Sequence, residues 1–163
     1  SHSELVARGG VYAAMYEDGV YISNDDGATW TPTAGQPGSA FNRRICRLVL
    51  HRDGTLLAMV TGKRIRANGP FSPDGPGLYR SVDGGRTWRW VSQPLGLLYP
   101  KDFGVDPADS NTLFIGACDA PDENGTVAQG GLYRSLDGGR NWQRVARLRP
   151  THFGATVHPT RRG

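Results

Sequence analysis

The sequence predicts an all-β protein built from four-stranded β-propeller blades, and three observations carry that prediction. The first is a stretch written three times: Ser23-Asn24-Asp25-Asp26-Gly27-Ala28-Thr29-Trp30, Ser81-Val82-Asp83-Gly84-Gly85-Arg86-Thr87-Trp88 and Ser135-Leu136-Asp137-Gly138-Gly139-Arg140-Asn141-Trp142. The second is the period, 58 and then 54 residues between copies, which suits a repeat holding several short strands. The third is composition. The chain has 163 residues, the length of one ordinary domain, with 23 Gly, 11 Pro and only 37% hydrophobic residues, a turn-dense make-up foreign to helical proteins.

The shared frame is Ser-x-Asp-x-Gly-x-x-Trp, and each residue type in it suits a tight turn. An Asp carboxylate accepts hydrogen bonds from amides of its own turn and tolerates the left-handed region. Glycine supplies positive φ where a Cβ would clash. The Trp on the outgoing strand offers a large apolar ring. Before each copy stands a short run of period two, at residues 19–22, 77–80 and 131–134, so each copy reads as the turn of a β-hairpin.

Superposing the repeats assigns the strands in order. The first blade, about residues 8–35, has a second strand at 10–16 followed by the third and fourth, and lacks its innermost strand. The second, about 44–95, takes 45–51, 55–61, 77–81 and 87–91 from inside outward. The third, about 101–148, takes 103–106, 112–117, 131–135 and 141–146, with a turn at 106–111 between its first two strands. Residues 155–159, within the segment 153–163, read as one further inner strand that closes a first blade. Propellers have four to eight blades, so the expectation is an incomplete ring unless another propeller chain or a second copy completes it. The core is expected between the blades, around Trp30, Trp88 and Trp142.

The frame resembles the Asp-box (BNR) repeat of sialidase-like β-propellers. Gly131-Leu132-Tyr133-Arg134 followed by Ser135-Leu136-Asp137-Gly138-Gly139-Arg140-Asn141-Trp142 is most similar to xyloglucan-active glycoside hydrolases and sortilin-type propellers. The resemblance covers nearly the whole chain. It implies that Ser23, Asp25, Gly27, Trp30, Ser81, Asp83, Gly85, Trp88, Ser135, Asp137, Gly139 and Trp142 are structural box residues on the face away from the ligand, and it favours an extracellular or secreted setting. It assigns no catalytic residue. The arginine triad and tyrosine nucleophile of sialidases are not identifiable, and Arg44-Ile45-Cys46 is the nearest string to their Arg-Ile-Pro motif. Neither aspartate motif of the xyloglucan-active enzymes is recognisable.

The boxes occupy the lower face, so function belongs on the upper-face loops, where a rigid scaffold carries its variable chemistry. Two such loops are long, 62–76 and 118–130. Phe71, Arg64 and Arg66 on the first, with Tyr99 and Lys101 in the next inter-blade connection, are the ligand-binding candidates. Rings stack on the apolar face of a pyranose, and charged groups hydrogen-bond its hydroxyls. Hydrolysis also needs two carboxylates roughly 5 to 9.5 Å apart, and Asp102 with Asp74, Asp119 or Glu123 is the only catalytic pairing available. Asp119, Asp122 and Glu123 are an alternative calcium group, though without a recognised loop pattern. No other metal or cofactor is expected. His51 and His158 close inner strands and read as turn-packing residues.

The remaining features narrow the partners. Net charge is +4 with pI near 9.4, mostly from dispersed arginines. The cluster Lys63-Arg64-Ile65-Arg66 is too short to argue nucleic-acid binding. No stretch is apolar and long enough to span a bilayer, and Ser1-His2-Ser3-Glu4 lacks the make-up of a secretory leader. Cys46 and Cys118 have no metal-like spacing and are expected as buried free thiols. Asn124-Gly125-Thr126 fits a glycosylation sequon. Three functions stay open: carbohydrate binding as part of a sialidase- or glycoside-hydrolase-like propeller, non-catalytic protein or peptide binding, and a propeller fragment that assembles with other copies.

Overall fold

In a computed structural model of the chain, which describes residues 10–146, every sheet is antiparallel. The first sheet has three strands, β1 (Val11–Met15), β2 (Gly19–Ser23) and β3 (Thr31–Pro32). The second runs in the order β4 (Ile45–Leu50), β5 (Leu56–Val60), β6 (Gly77–Ser81), β7 (Arg89–Trp90). The third pairs β8 (Tyr99–Asp106) with β9 (Asp109–Cys118) and continues to β12 (Gly131–Ser135) and β13 (Gln143–Ala146). Each is a propeller blade whose chain runs from inside outward, and among the described residues the first has no strand in the inner place that β4 and β8 take in the others. The expected inner strand at 155–159, with His158, lies outside the described residues.

Two strand expectations change. The turn 106–111 is tighter than expected, because Asp106 pairs with Asp109 and β9 begins there. The long loop 118–130 carries a small hairpin of its own, β10 (Ala120–Pro121) with β11 (Val127–Ala128). Asp122 closes that hairpin by accepting the Asn124 and Thr126 amides at 2.9 and 2.8 Å.

Strand β5 explains how the blades stack. Its five residues, Leu-Leu-Ala-Met-Val, are all buried, the continuous apolar run expected of a strand covered on both faces. Leu57 and Met59 join Leu78, Phe103, Leu113, Ile115 and Tyr133 between the second and third blades. Ala58 and Val60, pointing the other way, join Val20, Ile45 and Tyr79 between the first and second. The core is therefore two inter-blade layers read off alternate residues of one strand.

The tryptophans sit at the margins of these layers, not at their centre. Trp88 and Trp142 are half-buried against them, and Trp30 is 41% exposed. Their role is to tie blades together. Trp88 Nε1 donates to the Gly35 carbonyl at 3.2 Å and Trp142 Nε1 to the Val91 carbonyl at 2.8 Å, each reaching the blade before its own. Trp30 instead donates to Gly27 within its own turn, at 3.0 Å.

The three repeated turns share one hydrogen-bond pattern. Ser81 Oγ donates to Asp83 Oδ1 at 2.8 Å and accepts the Gly85 amide at 2.9 Å. Asp83 Oδ1 also accepts the Thr87 amide at 2.9 Å, and its Oδ2 takes the Thr87 hydroxyl at 2.6 Å. Thr29 and Asn141 do the same for Asp25 and Asp137, a role hidden in the unassigned positions of the sequence frame. Gly85 and Gly139 have φ of 86° and 88°. A Cβ at Gly139 would lie 2.4 Å from that of Val91, and one at Gly85 would lie 2.9 Å from Thr33 Cγ2. Glycine is needed for close approach to the preceding blade as well as for the turn.

A polar seam joins the second and third blades near these turns. Ser110 Oγ donates to Asp53 Oδ2 at 2.5 Å. His51 is buried there. Its Nδ1 accepts the Asp53 amide at 3.2 Å, which leaves Nε2 to donate to the Asp106 carbonyl at 2.9 Å.

Candidate functional site

Register places the repeated turns and the long loops at opposite ends of the strands. Ser81 lies opposite Leu56, and Gly77 opposite Val60, so the 62–76 loop leaves from the end away from the turns. A cleft of about 550 Å³ opens at that end, lined by Tyr16, Arg44, Cys46, Thr61, Gly62, Arg64, Arg66, Ala67, Phe71, Tyr99 and Lys101. All five expected ligand-binding residues, Arg64, Arg66, Phe71, Tyr99 and Lys101, fall on it.

Two β-bulges build its floor. The pairing of β4 with β5 skips between Ile45 and Arg47, and that of β8 with β9 skips between Pro100 and Asp102. Cys46 and Lys101 are thus the extra residues at equivalent places in neighbouring inner strands. A bulge re-aims a side chain, and here both residues line the cleft. Aligning the repeats on these two residues puts Arg44 where the next blade has Tyr99; that correspondence is the signal by which the sequence could have revealed Arg44.

The aromatic side chains divide into a wall and an open ring. Arg64 lies 4.3 Å over the Phe71 ring, Phe71 stacks on Tyr99 at 4.6 Å, and the Lys101 ammonium sits 4.4 Å over Tyr99. Cation–π and ring–ring attraction hold this column together. Phe71 is buried, packed with Leu98 and Ala120. Both rings expected to stack on a sugar therefore have their faces occupied within the protein. Tyr16, which the sequence did not single out, is 59% exposed, with Arg44 5.7 Å over its ring. It is the open ring of the cleft.

Most lining cations have no carboxylate partner among the described residues. Glu17, beside Tyr16, accepts from Arg44 Nε at 2.6 Å and lies 3.8 Å from Lys63 Nζ. The Arg44 hydrogen bond holds the Glu17 carboxyl below its usual range. Arg64 donates to the Gly69 carbonyl, and Lys101 to the Tyr99 hydroxyl at 3.0 Å. That last bond raises the Lys101 pKa, so the ammonium stays charged.

The four candidate catalytic carboxylates do not converge here, and none lines the cleft. Asp102 Oδ1 accepts from Arg47 Nη1 at 2.8 Å and from the Phe103 amide at 2.8 Å. Asp74 is exposed, on a turn where its amide donates to Ser72 Oγ at 3.1 Å. Asp119 takes the Gly130 amide at 2.6 Å. Glu123 is exposed and lines a separate hollow with Asp122 and Val127. No group of three His, Cys, Asp or Glu able to hold a metal occurs among the described residues; Asp119 Oδ1 takes the Gly130 amide and Asp122 Oδ1 those of Asn124 and Thr126.

The thiols are free but not buried as expected. Cys46 is exposed and Cys118 half-exposed. Neighbouring strands still crowd the Cys46 sulfur, which lies 3.5 Å from the Met59 carbonyl and 3.8 Å from that of Lys101. Desolvation, with the nearby Asp102 charge, pushes its pKa to about 11, so the thiol stays protonated near neutral pH. No helix among the described residues is long and apolar enough to cross a membrane.

Similarity to known proteins agrees with this architecture. The chain matches no known protein-family model. It is 27% identical over 150 residues to a probable oligoxyloglucan-reducing end-specific xyloglucanase of Neosartorya fischeri, covering 83% of this chain. Among solved structures it resembles a GH74 enzyme of Niastella koreensis, with TM-score 0.60 and 21% identity over 84% of this chain and 20% of that one. It also resembles the GH74 xyloglucanase of Xanthomonas campestris, with TM-score 0.58 and 23% identity over 84% and 20% of the two chains. The fold is that of an incomplete β-propeller. The chain spans only 15% of the curated relative and a fifth of these structures.

Proposed function

We propose that the chain is part of a glycoside-hydrolase-like propeller, with Asp-box turns as its structural staples, and that it binds carbohydrate in the cleft between the inner strands of its second and third blades. The observation that carries this reading is the cleft itself: an open Tyr16 ring and a stacked aromatic wall beside Arg44, Arg64, Arg66 and Lys101, at the end of the strands away from the repeated turns. Rings and fixed donors together are what a saccharide needs. The role argued for the cleft is binding, since no carboxylate pair of the kind most glycosidases use lines it among the described residues. Similarity over most of the chain to a probable xyloglucanase supports a carbohydrate as the ligand.

Calorimetric titration of the full chain with neutral and acidic oligosaccharides tests the reading. Tyr16→Ala is expected to weaken binding roughly fivefold, about 1 kcal/mol for a stacked ring, without altering the unfolding midpoint. Absence of binding to any saccharide would overturn it.

A second reading rests on the first blade. Strand β1 has no partner on its inner side among the described residues, whereas β4 and β8 fill that place in the other blades. Such an edge suits assembly with another propeller chain or a second copy. Light scattering across concentration decides this: a mass of two chains supports assembly, and a monomer throughout rules out self-assembly.

A further inference from the structure

Resting on the carbohydrate reading above, we propose that the cleft selects a carboxylate-bearing saccharide, a hexuronate oligosaccharide, over a neutral one. The argument comes from an inventory of hydrogen-bonding groups. A neutral sugar presents hydroxyls that both donate and accept, and a site built for it offers Asp, Glu, Asn or Gln beside its donors. None of those types lines this cleft among the described residues. Arg44, Arg64, Arg66 and Lys101 are donors only. The Thr61 hydroxyl spends its proton on the Pro100 carbonyl at 2.8 Å and, with the tyrosine hydroxyls, offers the uncharged side-chain acceptors of the lining. A lining in which four cationic donors outweigh these few hydroxyl acceptors matches an acceptor-only group, and a carboxylate is such a group.

The charge count points the same way. Glu17 satisfies Arg44 from the rim, and no carboxylate pairs with Arg64, Arg66 or Lys101 among the described residues. Arg64 spends one donor on Gly69 and Lys101 one on Tyr99, which leaves further N–H groups on each. Arg66 is exposed. The Glu17–Arg44 contact shows that a carboxylate is accommodated at this rim, and the planar guanidinium fork suits that group bidentately.

Four probes separate the outcomes: trigalacturonate, its methyl ester, a xyloglucan oligosaccharide and polyglutamate. The ester keeps the sugar backbone and removes the charge. Trigalacturonate is expected to bind the full chain at least about tenfold tighter than its ester, the effect of one charge-assisted hydrogen bond. Arg66→Gln is expected to remove much of that difference with an unchanged unfolding midpoint, and Lys101→Met to reduce it further. Equal binding of acid and ester, or tighter binding of the xyloglucan oligosaccharide, would overturn charge selection and leave the carbohydrate reading standing. Binding of polyglutamate with none of the sugars would overturn both.

Discussion

Each of Asp25, Asp83 and Asp137 gathers a serine hydroxyl, a backbone amide and a Thr or Asn side chain within its own turn. These bonds, led by Thr29 and Thr87 for the first two and by the Asn141 amide for the third, hold all three carboxyls down to about 2. An unfolded Asp titrates near about 4. The ionised form is therefore favoured in the folded state, and its contribution is complete above about pH 4 and lost as pH falls through about 2. The unfolding midpoint is expected to drop steeply across that window, and Asp83→Asn to flatten the drop; an identical acid limb in the variant would remove Asp83 from the account. Glycine offers a second test at this scale. Gly139→Ala must combine a left-handed backbone with a Cβ 2.4 Å from Val91, whereas Gly96, at φ 60°, has nothing within 4 Å. Gly96→Ala is expected to cost about 1 kcal/mol and Gly139→Ala clearly more, as read from urea midpoints; equal costs would mean that contact with the preceding blade is slack.

At the level of strands, β5 bears on both core layers. Met59 is fully buried between the second and third blades, so Met59→Ala is expected to cost about 2–5 kcal/mol, and a loss under about 1 kcal/mol would place it outside the core. This much was legible in the sequence. Alternation at 19–22, 77–80 and 131–134 and the superposition of the repeats located most strands within a residue or two, because the same burial that makes a strand selects its residues. The bulges at Cys46 and Lys101 were not legible, since an extra residue leaves no local mark and shows only against the partner strand. The tryptophans misled for a related reason: a ring that tops a seam looks, in one dimension, the same as one that fills it. In the site, all five expected ligand-binding residues reached one cleft. Asp102 as a catalytic candidate did not, because Arg47, its partner, belongs to the neighbouring blade, and such a pairing is invisible along the chain. Tyr16 was not legible because it sits beside a short hairpin turn, which carries none of the length that marks a binding loop.

For the whole molecule, the distribution of roles is polar from end to end. One end of the blades carries the repeated turns and their closed hydrogen-bond sets; the other carries the cleft, with cations in excess. Binding variants such as Tyr16→Ala and turn variants such as Gly139→Ala are thus expected to separate cleanly, the first changing affinity at constant stability and the second the reverse. The ties made by Trp88 and Trp142 have a direction as well. Each runs to a backbone carbonyl of the preceding blade, and Gly85 and Gly139 nestle against equivalent residues there, Thr33 and Val91. A carbonyl has no side-chain identity, so nothing in the tie distinguishes one preceding blade from another. Choice of neighbour is thereby left to the side chains of the inter-blade layers, which differ from one interface to the next: the ties fasten the blades, and the apolar layers select them.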